Sequence, residues 1–253
     1  MAVIGIDLGT TNSLAGVWQD GKVVLIPNAF GEYLTPSVVS IGKNQEVFVG
    51  SVAKEMLATQ PYDTFREFKR NMGTNFLYGN GRKKYRAEEL SAFVLRRLKE
   101  DAEKFLGEEV TEAVISVPAY FDDNKRNATK NAGRLAGLKV ERLINEPSAV
   151  ALKHHTAEKG AESFIVFDFG GGTLDVSLVE AFDNVVEIQA VAGDNYLGGK
   201  DFNEIIAQDF YEQNQISEAY LTKNEQENVL KEAEAVKKEL TYATKTVYKN
   251  NII

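Results

Sequence analysis

One local pattern is written twice along this chain. Ile4-Gly5-Ile6-Asp7-Leu8-Gly9-Thr10-Thr11 returns in outline as Ile165-Val166-Phe167-Asp168-Phe169-Gly170-Gly171-Gly172-Thr173. Each copy is an apolar strand that ends at an Asp, turns through Gly and Thr, and resumes as a second apolar strand. An apolar run broken by turn residues and resumed reads as a hairpin. A chain of 253 residues that carries two such hairpins is expected to fold as two related half-domains facing one ligand.

The turn chemistry suggests which ligand. A Gly/Thr turn exposes consecutive backbone N–H groups, and Gly leaves room for a phosphate to approach. Thr hydroxyls add donors with little bulk. An Asp at the strand end can reach a divalent metal through its water shell, since Mg²⁺ held with a nucleotide usually keeps several waters. No G-x-x-x-x-G-K-[ST] run is present, and the turn returns as a strand and not as a helix, so this is not a P-loop. Either copy alone fits a plain Gly-rich hairpin equally well. The two together, with Asp in the same place, favour nucleotide binding.

The pattern between the copies is mixed. Ser13 to Trp18, the Asp20-Gly21 turn and Val23 to Ile26 continue the first hairpin. Val38 to Ile41 and Val47 to Val49 form a second hairpin, and Ser51 to Thr59 a short helix ending near Pro61. Glu88 to Leu106 reads as a helix with Leu90, Phe93, Val94, Leu98, Ala102 and Phe105 on one face and Gly107 as its stop. Ala113 to Val117 is a strand, and Asp122 or Asp123 caps a helix that stops at Gly137. Val140 to Ile144 is a strand, and Ser148 caps a helix over Ala149 to His155. Val185 to Ala192 is a strand. Two helices follow, carrying Phe202, Ile205, Ile206 and Phe210, then Val229, Ala233, Val236 and Leu240. Val247 to Ile253 looks strand-like. The expected organisation is a first-lobe base from 1–37 and 112–183, an inserted upper subdomain over 38–111, and part of a second lobe over 184–253.

Charge and composition exclude some classes. Net charge is −8, from 29 basic and 37 acidic residues, which argues against nucleic-acid binding. A few local donors can still hold a nucleotide inside an acidic protein. The chain has no cysteine, so disulfide and thiolate chemistry are out. No signal-peptide pattern and no membrane-spanning apolar run is present, and a cytoplasmic location is expected. His154 and His155 are adjacent, do not face one ligand, and read as surface residues.

Four segments make the reading specific. Gly5 to Ser13 and Phe167 to Ser177 resemble the two phosphate signatures of the seventy-kilodalton heat-shock (DnaK-type) chaperones. Ile115-Ser116-Val117-Pro118-Ala119-Tyr120-Phe121 and Leu143-Ile144-Asn145-Glu146-Pro147-Ser148-Ala149 resemble two further signatures of that family. They lie in family order, and the resemblance runs along essentially the whole chain. Actins and sugar kinases share the hairpins but not this set of four. Leu25 to Asn28 with Gly31 to Ser37 is similar to the HscC-like branch. The resemblance implies an α/β, actin-like ATPase fold (ribonuclease-H-like and duplicated) with the first lobe complete and the second partial.

The resemblance also implies roles. Lys69 matches a catalytic lysine that positions the attacking water and stabilises charge on the γ-phosphate. By residue pattern alone it is part of a solvated basic patch. Glu146 matches an acid that organises the metal and water shell or acts as base, and by pattern alone is a loop acid. Asp7, Glu146 and Asp168 would share Mg²⁺-bound waters, with K⁺ as a further candidate ion. Thr173 matches the hydroxyl near the γ-phosphate, and Asp175 is a candidate structural partner of the loop. Gly9, Thr10, Thr11, Asn12, Gly170, Gly171, Gly172, Gly198 and Gly199 would hold the phosphates of ATP or ADP. Glu234, Lys237, Lys238 and Thr241, near one face of the last helix, resemble the adenosine clamp, against a charged solvent face as the plain alternative. Pro118 and Arg126 match the family's proline switch and arginine relay. Without the resemblance they are a strand terminator and an exposed helix residue.

The family's partners follow as expectations: a peptide-binding domain, unfolded clients, a J-domain co-chaperone and a nucleotide exchange factor, in a protein-folding and stress-response role, with no nucleic acid and no membrane. Two departures stand out. Lys200, in Gly198-Gly199-Lys200-Asp201, occupies a place that is normally Glu. The family's domain also continues past Ile253 into a Gly-rich adenosine-binding segment, and the peptide-binding domain lies beyond that. Weak nucleotide binding by these 253 residues is therefore one expectation. An actin-like filament protein and a small-molecule kinase share the hairpins and are the competing functions.

Overall fold

The computed structural model describes residues 2–79, 83–154, 160–182 and 185–248. The chain opens as an antiparallel meander of β1 (Ala2–Asp7), β2 (Asn12–Gln19) and β3 (Lys22–Ile26). Asp20 and Gly21 join β2 to β3 with φ of 51° and 77°. Positive φ at both turn residues suits the right-handed twist of the strands, and Asp-Gly tolerates it. The short β4 (Thr35–Pro36) pairs with β2. An insert follows. β5 (Val38–Ile41) is paired on its two edges by β6 (Val47–Val49) and β7 (Thr64–Arg66), with α1 (Ser51–Thr59) between the latter two.

A 3-10 turn over Phe68–Asn71 leads toward α2 (Ala87–Leu106). β8 (Val110–Val117) then runs parallel to β1, α3 (Asp123–Leu135) crosses back, and β9 (Lys139–Asn145) runs parallel to β8. The resulting order is β3-β2-β1-β8-β9. α4 (Glu146–His154) leaves the end of β9 directly. The second hairpin, β10 (Glu162–Phe169) and β11 (Leu174–Phe182), pairs with β12 (Val185–Asp194) in a sheet of its own. α5 (Gly199–Gln213) and α6 (Lys223–Glu239) complete the described chain.

The periodicities explain the core. Ile4 and Ile6 of β1, with Ile115 and Val117 of β8, point to one face and meet Leu90, Val94, Leu98 and Ala102 of α2 in one buried cluster. Each such Ile, Leu or Val side chain, fully buried, contributes about 1.5–3 kcal/mol. Leu95 joins that core although it is off the expected stripe, and Phe105 stays 43% exposed near the helix end. A second cluster joins α5 to α6 through Ala207, Phe210, Tyr211, Val229 and Ala233.

Several expectations need correction. Ser148 caps nothing: α4 begins at Glu146, so Ser148 lies inside it. Pro147 explains the earlier start, because the first helical turn needs no N–H there and favours the fixed φ of proline. Phe202, Ile205 and Leu240 are exposed and not core. Val247 and Tyr248 are outside any strand, and the remainder of that expected strand lies outside the described residues, as does His155. Within the segment 112–183, β8 and β9 pair into the first sheet, whereas β10 pairs with β11 and β11 with β12 in a separate sheet. Strand pairing therefore divides that segment after α4.

Candidate functional site

The site forms where the two hairpin turns meet. In the first turn, a Cβ on Gly9 would lie 2.0 Å from the carbonyl oxygen of Asn12, so only glycine fits. Its N–H donates to Ser13 Oγ at 3.2 Å, Ser37 Oγ donates to its carbonyl at 2.8 Å, and the two hydroxyls are 2.8 Å apart. Ser13 and Ser37 are buried, so these hydrogen bonds fix the turn from beneath. Thr11 and Asn12 remain exposed above it.

The second turn is fixed from the other side. Gly170 N–H donates to the Thr173 carbonyl at 3.0 Å. The N–H groups of Gly199 and Lys200, at the start of α5, donate to the carbonyls of Gly170 and Gly171 at 3.0 and 2.9 Å. Gly198 passes so close that a Cβ there would lie 2.4 Å from Gly172 N. The glycines of the two segments thus pack backbone on backbone.

The two turns touch. A Cβ on Gly171 would fall 1.8 Å from Thr11 Oγ1, and one on Gly172 would fall 2.7 Å from the Thr10 methyl. This contact partitions the cleft. On one side a cavity is lined by Asp7, Gly9, Lys69, Glu146, Asp168 and Thr173. On the other a cavity is lined by Lys54, Glu67, Lys200, Glu234 and Lys237. Thr10, Thr11 and Gly171 line both.

The first cavity gathers charge. Lys69, on the 3-10 turn, is only 8% exposed and donates from Nζ to Glu146 Oε1 at 2.9 Å. It is not a solvated surface lysine. Burial pushes the Glu146 carboxyl above its usual range. Lys69 counters that, while Asp7 and Asp168 add to it. Asp168 is raised by desolvation and then by Asp7, with Lys69 opposing. Asp7 itself accepts from Ser116 Oγ at 2.9 Å. Asp175 is raised by burial and steadied by the Thr173 hydroxyl. That hydroxyl also serves Tyr120, whose own phenol is pushed up by burial, then by Asp175 and Glu146.

The adenosine-clamp candidates divide. Glu234 faces the second cavity and accepts from Lys54 and Lys238 at 3.1 and 2.7 Å. Burial raises its carboxyl, but the two lysines outweigh that and leave it low. Lys237 also lines the cavity and donates to the Gly199 carbonyl at 2.5 Å. Burial lowers its ammonium, against Glu234. The Lys238 side chain is 68% exposed, and Thr241 lies just past the helix end and is exposed. Neither lines the cavity. Ion pairs from Arg66 to Glu227 at 3.0 Å and from Lys231 to Glu55 at 2.6 Å further tie α6 to the insert.

Pro118 and Arg126 are joined to the site by hydrogen bonds. Pro118 is buried at the end of β8, and its carbonyl accepts from Phe121 N–H at 3.1 Å. The Arg126 guanidinium donates to the Phe121 carbonyl at 2.8 Å, the Ala119 carbonyl at 3.4 Å and Asn145 Oδ1 at 2.7 Å. Asn145 directly precedes Glu146. The turn after Pro118 is therefore linked to the residue before the buried acid.

Sequence reasoning gave no role to Arg70. Its guanidinium reaches the Gly172 carbonyl and Asp201 Oδ2, and its Nε is buried without a partner. The available signal was its place next to Lys69, which fixes it at the same cleft. Among the described residues, no three acids or histidines cluster tightly enough to hold a metal ion directly. No described helix is long and apolar enough to cross a membrane. A sequence model of the family described as Hsp70 protein matches residues 3–80 and 78–253.

Proposed function

The chain belongs to the Hsp70 protein family, whose members have the actin-like ATPase fold, and from that premise we propose that it binds MgATP between its two glycine turns and hydrolyses it beside Lys69 and Glu146. The observation that carries this reading is the Lys69–Glu146 pair, buried beside the two Asp-terminated hairpins. Phosphoryl transfer needs little covalent chemistry from a protein. It needs in-line positioning and compensation of charge on the transferred group.

In this reading the turns around Gly9–Asn12 and Gly170–Gly172 hold the phosphate oxygens through backbone N–H groups other than those of Gly9 and Gly170, which the turns themselves use. Lys69 supplies positive charge at the γ-phosphate and holds the attacking water. Glu146, raised above its ordinary range by burial, accepts a hydrogen bond from that water and orients it. Thr173 offers its hydroxyl on the opposite side. Glu234 and Lys237 border the nucleoside.

Asp7, Glu146 and Asp168 suit the water shell of Mg²⁺. Burial raises Asp168 and Glu146, and repulsion from Asp7 adds to it; a divalent cation relieves such repulsion. When bound, the ion offsets charge on the phosphates.

The larger role we propose is that of a chaperone ATPase, in which hydrolysis controls a peptide-binding domain, with unfolded clients and co-chaperones as partners. The decisive measurement is calorimetric titration of the 253-residue chain with MgATP, paired with single-turnover hydrolysis in wild type and Lys69→Ala. Binding with hydrolysis that depends on Lys69 supports the reading. Equal hydrolysis by the two proteins would remove Lys69 from the mechanism.

A further inference from the structure

Lys200 reverses the charge expected at its position, and the structure gives that reversal a partner. Its N–H is fixed to the Gly171 carbonyl, so the residue is anchored on the second phosphate turn. Its ammonium crosses the cleft to Glu67 Oε2 at 2.8 Å. Glu67 lies two residues before Lys69. Arg70 makes the reciprocal crossing, reaching Asp201 Oδ2 at 3.4 Å and the Gly172 carbonyl. Neighbouring residues on each side thus send opposite charges across the contact between the two turns.

The backbone at Glu67 is unusual. Glu67 has φ of 59°, in the left-handed region, which is uncommon for a residue with a side chain. That conformation directs the chain into the 3-10 turn of Lys69. The Glu67 carboxylate then lies between Lys200 at 2.8 Å and Arg70 at 3.9 Å. The side chains are only 10–26% exposed, so solvent screens the crossing less than it would a surface pair.

We infer that Lys200 is a positioning residue. With Glu67 it forms a clasp that holds the two phosphate turns together and sets how fast nucleotide passes between them. The inference rests on the proposed nucleotide site, because a nucleotide gripped by both turns leaves only when the turns separate. Replacing Lys200 by Glu places two carboxylates face to face across that contact and favours the open arrangement.

The test is stopped-flow release of a fluorescent methylanthraniloyl-ADP from wild type, Lys200→Glu, Glu67→Lys, the double exchange and Lys200→Arg. Each charge reversal is expected to speed release about five- to tenfold, and the double exchange to return it to within about twofold of wild type. Lys200→Arg should stay near wild type. If a reversed variant fails to fold, Lys200→Gln, Glu67→Gln and their double replace it, and a non-additive cycle is expected. Release from Lys200→Glu at the wild-type rate, or a double exchange no closer to wild type than the single variants, would overturn the clasp. A wild type that does not bind the analogue would instead sink the nucleotide reading and the clasp with it.

Discussion

Lys69 Nζ lies 2.9 Å from Glu146 Oε1, and the two side chains are 9% and 17% exposed. Neither charge is well hydrated, so each depends on the other. Truncating one member of a buried pair leaves the other unpaired, which is generally far more costly than the net worth of the pair. The pair also joins two elements distant in sequence, the 3-10 turn of the insert and the first residue of α4.

For Lys69→Ala, single-turnover hydrolysis of MgATP is expected to fall about 10²–10³-fold, the usual size of a lost transition-state contact. ATP affinity should change much less, because the turns hold the phosphates. Glu146 then loses the cation that opposes its burial, and its pKa rises further. A carboxyl raised in the folded state favours folding below its unfolded pKa, and that contribution is lost as pH rises through the folded value. The Tm deficit of Lys69→Ala should therefore be larger at pH 8 than at pH 5. A deficit independent of pH would contradict the pairing.

Asp168 carries the same sign. Its folded pKa is raised by burial and by Asp7, so the ionised form opposes folding. Asp168→Asn is expected to have a Tm above wild type at pH 8, by about 1–3 °C, with the gap closing as the buffer is acidified. The same variant should lose the Mg²⁺ dependence of nucleotide binding. Thermal melts across pH, with and without Mg²⁺, check both statements.

The duplicated hairpins were legible because Asp, Gly and Thr recur at fixed places on period-two strands. α1 and α2 were legible from their apolar spacing and stop signals. The fate of the second hairpin was not. Whether the β10–β11 hairpin extends the first sheet or pairs through β11 with β12 depends on long-range pairing, which local pattern does not encode. Exposure of Phe202 and Ile205 escaped for a related reason, since a helix stripe shows amphipathicity but not what meets it. Lys69 lay in a run that looked solvated, and only its distance to Glu146 makes it a buried ion. Arg126 likewise has an exposed helix context in sequence and three acceptors in the structure.

Gly171→Ala tests the contact between the turns. Its Cβ would fall 1.8 Å from Thr11 Oγ1 and 2.8 Å from Thr11 Cβ, both well inside van der Waals contact, so rotation of Thr11 alone does not relieve it and the turns must separate. Nucleotide affinity is expected to drop about 10–100-fold with little change in far-UV circular dichroism. Adding Thr11→Ala removes the hydroxyl overlap but keeps the Thr11 Cβ at 2.8 Å, so it should recover only part of the loss. An undiminished affinity in Gly171→Ala would show that the turns do not need to approach.

Arg126→Ala tests the link from the Pro118 turn to Glu146. Three acceptors, the carbonyls of Ala119 and Phe121 and the side chain of Asn145, lose one planar donor. The expected stability loss is about 1–3 kcal/mol, the range for hydrogen bonds to a charged group. Asn145 is freed directly before Glu146, so kcat should fall severalfold while nucleotide Kd moves less than about twofold, the pattern of a contact used in the transition state. Arg126→Lys should rescue only part, because one ammonium cannot span a carbonyl and an amide as the guanidinium fork does. Denaturant melts report the first effect and single-turnover kinetics the second. Full rescue by lysine would reduce Arg126 to a point charge and remove its claim to orient Asn145.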